Sequence, residues 1–323
     1  VSIFFGGGTP SLFSAAAIAR ILQGAEQLIG FAPAIEITLE ANPGTVEQQK
    51  FKGFREAGIN RLSIGIQSFN DAHLKGLGRI HNGAEALTAI DIARQAGFDN
   101  INLDLMHGLP EQTPEQAIAD LQQAIDLQPE HLSWYQLTIE PNTAFHSQPP
   151  LLPVESTLEH IQGRGHDLLD SAGFSSYEIS AYARPQRQSQ HNRNYWQFGD
   201  YLGIGAGAHG KITDIRGQKI IRSRKTRQPA DYLSRLTQGK TYLAEQFSLD
   251  EAELPLEFLM NALRLTQGVP SELFSERTCM PLVTIEAHWH ALEAKQLVQP
   301  LASERLSCTP LGQRFLDSIL AEF

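Results

Sequence analysis

Three groups of residues in this chain have the types and spacing to do chemistry. The first is Gly6-Gly7-Gly8-Thr9-Pro10-Ser11, directly after the apolar run Val1-Ser2-Ile3-Phe4-Phe5. Glycines after a buried strand let a ligand approach the backbone with no Cβ in the way. No Gly-Lys-Ser/Thr follows, so the turn is not a P-loop, and it lacks the dinucleotide fingerprint. The plainer alternative is a tight strand-to-helix turn. The second group is Glu40, Gln67, Arg79 and Asp104. Two carboxylates can hold hydroxyls or an amine, while Gln67 and Arg79 add donors. Singly, each carboxylate is more commonly a helix cap or an ion-pair partner, so the case rests on the convergence of the set. The third group is His191-Asn192-Arg193-Asn194-Tyr195-Trp196, an imidazole beside two large aromatic rings.

These residues need a frame, and the first half of the chain supplies one by alternation. Runs at 1–5, 35–40, 61–65, 101–105 and 131–136 read as strands, and helical patterns lie between them. Thr113-Pro114-Glu115-Gln116 carries the start signal of one such helix. Strands alternating with helices at this spacing predict a parallel sheet with helical crossovers. Gly6 to Thr9, Glu40, Gln67, Asp104 and Gln136 all fall at carboxyl ends of successive strands. A β/α barrel gathers such ends around one mouth, whereas an open sheet concentrates its ligand at one switch point. The distribution favours the barrel.

From about Pro141 the pattern changes. Gln148 to Pro153 reads as a linker or crossing segment, with a helix at about 156–172 and a strand at 176–179 after it. Residues 184–227 form a basic block of ten Lys or Arg against two Asp. From Thr241 onward, twelve acidic residues face five basic ones. That tail reads as three helices (about 250–265, 270–274 and 282–294), strands at 297–301 and 305–308, and a last helix, resembling a winged helix. Nucleic-acid binding needs clustered Lys and Arg, so its charge predicts a packing or partner-binding module and no nucleic acid.

The chain of 323 residues has a net charge of −10 and two cysteines, Cys279 and Cys308. That excludes a disulfide framework and any all-cysteine metal site built by this chain alone. No apolar run is long enough to span a membrane. No secretory signal opens the sequence.

Taken together, GGGTPS, LEANPG, RLSIGIQSF, LGRIH and NLDLMHGLPEQT are far more specific than any one of them. The combination resembles the radical S-adenosylmethionine (SAM) proteins of the oxygen-independent coproporphyrinogen III oxidase family, over essentially the whole chain. The resemblance implies a partial β/α barrel that holds a 4Fe-4S cluster and SAM. By motif position it puts SAM contacts on Gly7, Gly8, Thr9, Glu40, Gln67, Arg79 and Asp104, and more weakly on Thr138 and His209. Gly7 to Thr9 would hold the methionine end. The family's cluster motif, Cys-x3-Cys-x2-Cys, stands upstream of the glycine turn, and this chain has no such motif. The cluster ligands and the first strand are therefore expected upstream of Val1.

HNRNYW matches a motif of the heme chaperone branch of that family. This implies heme as a ligand, with His191 as candidate iron ligand and Tyr195 and Trp196 as flat apolar area for the macrocycle. The basic block would pair with the propionates, or face anionic lipid. An acceptor hemoprotein, at the membrane surface in one version, is the implied partner. The expected location is the cytoplasm or the inner face of the membrane. The expected division is a radical SAM core at 1–145, a barrel extension with HNRNYW and the basic block at 146–240, and the winged-helix-like domain at 241–323. Coproporphyrinogen III oxidase itself is the alternative activity, and HNRNYW argues against it.

Overall fold

The computed structural model describes residues 1–141 and 143–323, with only the backbone described at positions 45, 46 and 236. The chain divides into two compact units, Val1–His191 and Asn192–Phe323. The boundary falls inside the second of the three segments expected from the sequence.

Seven strands form the sheet of the first unit: β1 (Ser2–Phe5), β2 (Glu36–Ala41), β3 (Arg61–Gln67), β4 (Ile101–His107), β5 (His131–Gln136), β6 (Ser175–Glu178) and β7 (Ala181–Ala183). Their order is β1-β2-β3-β4-β5-β7-β6. The first five are parallel, and the last two are antiparallel. The sheet curls into a half barrel, as the alternation predicts. Strand β7 is too short, at three residues, to show in the sequence pattern. It pairs with β5 on one side and with β6 on the other, so β6 is the outer strand at that end of the sheet.

Side chains alternate across each strand. One set, Ile37, Leu39, Leu62, Ile64, Ile66, Ile101, Leu103, Leu105, Leu132 and Trp134, is buried in a single apolar core. The crossover helices supply the opposite side of that core, through Ile18 and Leu22, Phe51 and Phe54, Ile90, Leu121, Ile161 and Leu169. Two of these helices open on the capping boxes Asn82/Glu85 and Thr113/Gln116. In each, one side chain satisfies an end amide that the helix itself leaves open.

The second unit holds an antiparallel meander of β8 (His209–Asp214), β9 (Lys219–Lys225) and β10 (Leu243–Ser248). The basic block is largely the β8–β9 hairpin. Lys211 is buried there, and its Nζ donates to Phe198 O at 2.9 Å and to Asp200 Oδ1 at 3.0 Å. Helices Leu254–Ala262, Glu272–Thr278 and Val283–Ala294 pack through Phe258, Phe274 and Trp289. The expected wing is corrected here. Strand β12 (Arg305–Leu306) pairs with β11 (Val269–Pro270), a strand that was not expected. Segment 297–301 carries one bridge, Val298 to Cys308. Pro300 has no amide to continue a ladder, and the chain enters a 3-10 turn at Leu301–Ser303.

The helix Glu155–Ser171 is seated on β5 through a glycine. A Cβ on Gly165 would lie 1.9 Å from the Trp134 ring, whereas one on Gly163 would meet nothing within 4 Å. Gly165→Ala is therefore expected to cost about 1–3 kcal/mol through overpacking. Gly163→Ala should be neutral or stabilising, by up to about 1 kcal/mol from helix propensity. Denaturant midpoints of the two variants check this; equal shifts would contradict the packing described.

Candidate functional site

The other face of the half barrel inverts the usual pattern, because it is lined with polar residues. Thr38 and Glu40 come from β2, Arg61, Ser63 and Gln67 from β3, Asn102 and Asp104 from β4, and His131, Ser133 and Tyr135 from β5. Register aligns Glu40 with Ser63, Ser63 with Asn102, and Asn102 with His131, one polar row across four strands. Asp104 pairs with Ser133 in the row above.

At the carboxyl ends of β1 to β4 this face opens into a cavity. Gly8, Thr9, Pro10, Glu40, Ala41, Asn42, Ser63, Gly65, Gln67 and Asp104 line it. The glycine turn forms one wall. Gly7 and Gly8 have φ of +79° and +63°, which is left-handed backbone, and a Cβ on either would meet nothing within 4 Å. Their glycines are thus required by conformation, while the space beside them stays open for a ligand. Gly7 N donates to Glu40 Oε2 at 3.1 Å, which ties the turn to β2. Glu47 ties it again by accepting from Ser11 Oγ and, at 2.7 Å, from Asn42 N.

Gln67 ends β3 at a bulge, with φ of +70°. A non-glycine residue in that region costs about 1–3 kcal/mol and persists only when its surroundings hold it. Tyr135 holds it, donating from its OH to Gln67 Oε1 at 2.8 Å. The Ser68-Phe69 turn beyond is pinned by Asp120, which accepts from Phe69 N at 2.9 Å and from Ser68 Oγ.

Burial raises the carboxyl of Glu40, a shift opposed by the Gly7 amide and reinforced by Asp104. Burial likewise raises Asp104, opposed by hydrogen bonds from Asn102, Ser133 and Ser63. The Tyr135 phenol is pushed up to about 12, chiefly by burial. The cavity therefore offers two carboxylates, two hydroxyls, two amide side chains and the backbone of the glycine turn. Such a set suits a small, polar, partly cationic ligand with hydroxyls.

Of the residues expected from the sequence, Gly8, Thr9, Glu40, Gln67 and Asp104 line this cavity, and Gly7 adjoins it through Glu40. Arg79 is exposed and outside the lining, though its charge lowers the Tyr135 phenol. Thr138 is exposed, and its hydroxyl donates to Glu140 Oε1 at 3.1 Å. His209 opens β8 in the second unit.

The HNRNYW motif is helical, within Gln190–Trp196. His191, in the first unit, stacks on Phe4 with centroids 4.2 Å apart and planes 17° apart. Burial and the Arg61 charge push its imidazole down to about 4, so it is neutral at pH 7. The backbone amides of His191 and Gln190 each donate to the Glu36 carboxylate, at 3.1 Å. In the second unit, Tyr195 packs on Tyr201 at 4.4 Å, and the Arg264 guanidinium lies 4.3 Å over the Trp196 ring.

Sequence reading missed Ser63, Asn102, His131, Ser133 and Tyr135. The signal was present, because polar residues recur at alternate positions, Thr38-Glu40, Arg61-Ser63, Asn102-Asp104 and His131-Ser133-Tyr135, between apolar neighbours.

A model of the radical SAM superfamily matches residues 1–124, and a model of the HemN C-terminal domain matches residues 249–315. The heme chaperone HemW of Haemophilus influenzae is 50% identical over 323 residues, all of this chain and 82% of that protein. HemW of Escherichia coli is 48% identical over 322 residues, covering 100% of this chain and 83% of that protein. A mouse protein described as radical S-adenosyl methionine domain-containing protein 1, mitochondrial, is 35% identical over 99% of this chain and 74% of its own length. Among solved structures, coproporphyrinogen III oxidase (HemN) from Escherichia coli superposes with a TM-score of 0.80 over 99% of this chain and 77% of that chain. At 22% identity, that likeness establishes the fold. With both domains matched and about half of all residues shared along the whole chain, this protein belongs to the HemW family of radical SAM proteins.

Proposed function

We propose that the protein is a heme chaperone, which binds heme and passes it to an acceptor hemoprotein, and that the half-barrel cavity holds SAM. The observation that carries the reading is the identity of 50% and 48% with two HemW chaperones over the whole chain. The identity with coproporphyrinogen III oxidase is 22%, so the oxidase reading has the weaker support.

The cavity's chemistry fits SAM. Open space beside Gly7 and Gly8 admits the ligand against the backbone. Glu40 and Asp104 are the acceptors for an ammonium group and ribose hydroxyls. When bound, SAM supplies an activated sulfonium; the chain's part is to orient it. The residues present do not fit a 4Fe-4S cluster. Cys279 and Cys308 both lie in the second unit, and burial pushes the Cys308 thiol up to about 12. Cluster irons need thiolates, so this chain's own residues do not make that site.

For heme, the support is the neutral imidazole of His191, since the neutral ring is the form that ligates metal. Tyr195 and Trp196 follow on the same helix. The Phe4 stack covers one face of the ring and makes His191 a packing residue as well. Among the described residues no helix is long and apolar enough to cross a membrane.

Two outcomes are expected. Gly8→Ala should weaken SAM affinity tenfold or more by calorimetric titration, while the left-handed backbone costs about 1–2 kcal/mol of stability. Lost stability with unchanged affinity would leave the turn a purely structural element. His191→Ala should weaken hemin binding and shift the Soret band, because an axial ligand sets the iron's electronic state. SAM affinity should change little, and the backbone bond to Glu36 survives the substitution. An unaltered hemin spectrum and affinity would remove His191 as ligand.

A further inference from the structure

A hydrogen-bond chain runs from Asp104 away from the cavity, and the function proposed above uses none of its members beyond Asp104. Asn102 Nδ2 donates to Asp104 Oδ1 at 2.8 Å and to Ser63 Oγ at 2.7 Å. Ser63 Oγ donates to Asp104 Oδ2 at 3.1 Å. Both carboxylate oxygens are thus held by hydrogen bonds, and Asp104 is among the residues that line the cavity. The arrangement works in one orientation of Asn102 only. A flipped amide would turn its oxygen toward the carboxylate and leave Ser63 without that donor.

His131 enforces the orientation. Its Nδ1 lies 2.6 Å from Asn102 Oδ1, with Ser133 Oγ donating to the same oxygen at 3.1 Å. An amide oxygen only accepts, so Nδ1 carries the proton, and Nε2 must accept from Tyr177 OH at 2.8 Å. His131 is fully buried, and burial together with the Arg61 charge holds it well below the usual imidazole range. It is therefore neutral, and the Tyr177 hydroxyl fixes its tautomer. The chain crosses β6, β5, β4 and β3, and each member occupies a face-inward position of its strand.

We infer that His131 is a positioning residue for the SAM cavity, holding Asn102 so that Asp104 presents its acceptor oxygens to the ligand. This rests on the reading of the cavity as a SAM site. Asp104 touches the ligand; His131 acts through Asn102, and Tyr177 acts through His131.

The test is SAM affinity by equilibrium dialysis for Asp104→Asn, His131→Leu, His131→Asn and Tyr177→Phe, with thermal midpoints measured alongside. Asp104→Asn should weaken binding at least tenfold. His131→Leu, which removes the donor to Asn102, should weaken it about tenfold. His131→Asn should recover binding to within about threefold of the parent, because its amide nitrogen falls where imidazole Nδ1 lies. A residue that serves packing alone would give His131→Asn and His131→Leu the same affinity. Tyr177→Phe preserves the core even if a His131 variant fails to fold. It should weaken SAM about threefold and move the imidazole nitrogen shifts of His131 in NMR away from a single Nδ1-protonated tautomer.

If Asp104→Asn binds SAM like the parent, the cavity reading fails and the His131 assignment falls with it. If Asp104→Asn is weakened while folded His131→Leu is not, the cavity reading stands and the assignment is overturned. Equal weakening in His131→Leu and His131→Asn also overturns it, as does unchanged affinity and tautomer in Tyr177→Phe.

Discussion

A carboxylate set inside a folded sheet must be hydrogen-bonded or it will not stay charged. The first unit is organised around that constraint. Its five parallel strands put one face into an apolar layer shared with the crossover helices and give the other to polar side chains. Glu40 is met by the Gly7 amide, Asp104 by Asn102 and Ser63, and Glu47 by Ser11 and Asn42. The Gly7 bond joins the glycine turn to β2, the Ser63 bond joins β3 to β4, and Glu47 links the segments after β1 and β2. The stability of the charges and the shape of the site are therefore one problem with one solution.

The units differ in how they use charge. In the first, carboxylates dominate the hollow, and the cation Arg61 is buried beside Glu36 at 4.0 Å. In the second, Lys211 is buried over the Phe198 ring at 4.1 Å, and Arg222 pairs with Glu257 at 2.5 Å. Two members of the basic block thus act as internal supports of the meander, so the block is not simply a solvated surface.

Strand-helix alternation and the polar residues at strand ends made the half barrel legible in the sequence, together with Glu40, Gln67 and Asp104 at its mouth. The glycine turn was legible because left-handed backbone after a strand selects glycine. What lay between the strand ends was harder to read. Asn102, His131 and Tyr177 matter through pairings 29 and 46 residues apart, and strand register fixes those pairings while local pattern does not. Arg79 illustrates the opposite difficulty. Its sequence position suggested a wall of the cavity, yet the short helix Asp71–Gly76 ends before it and leaves it exposed. The wing was misread because Arg305-Leu306 pairs with a two-residue strand too short to leave a pattern.

The helix that carries His191 has seven residues, too few to persist by itself in water. Its first amides depend on Glu36, 154 and 155 residues earlier in the chain. Closing so long a loop is entropically expensive and contributes little until the intervening strands are paired. During synthesis Glu36 emerges early and waits in the sheet for a partner made much later. The His191 helix is therefore among the last features of the first unit to become fixed. A nascent, truncated or partly unfolded chain lacks the pairing with Glu36, so the position of the His191 ring on Phe4 reports that the half barrel is complete.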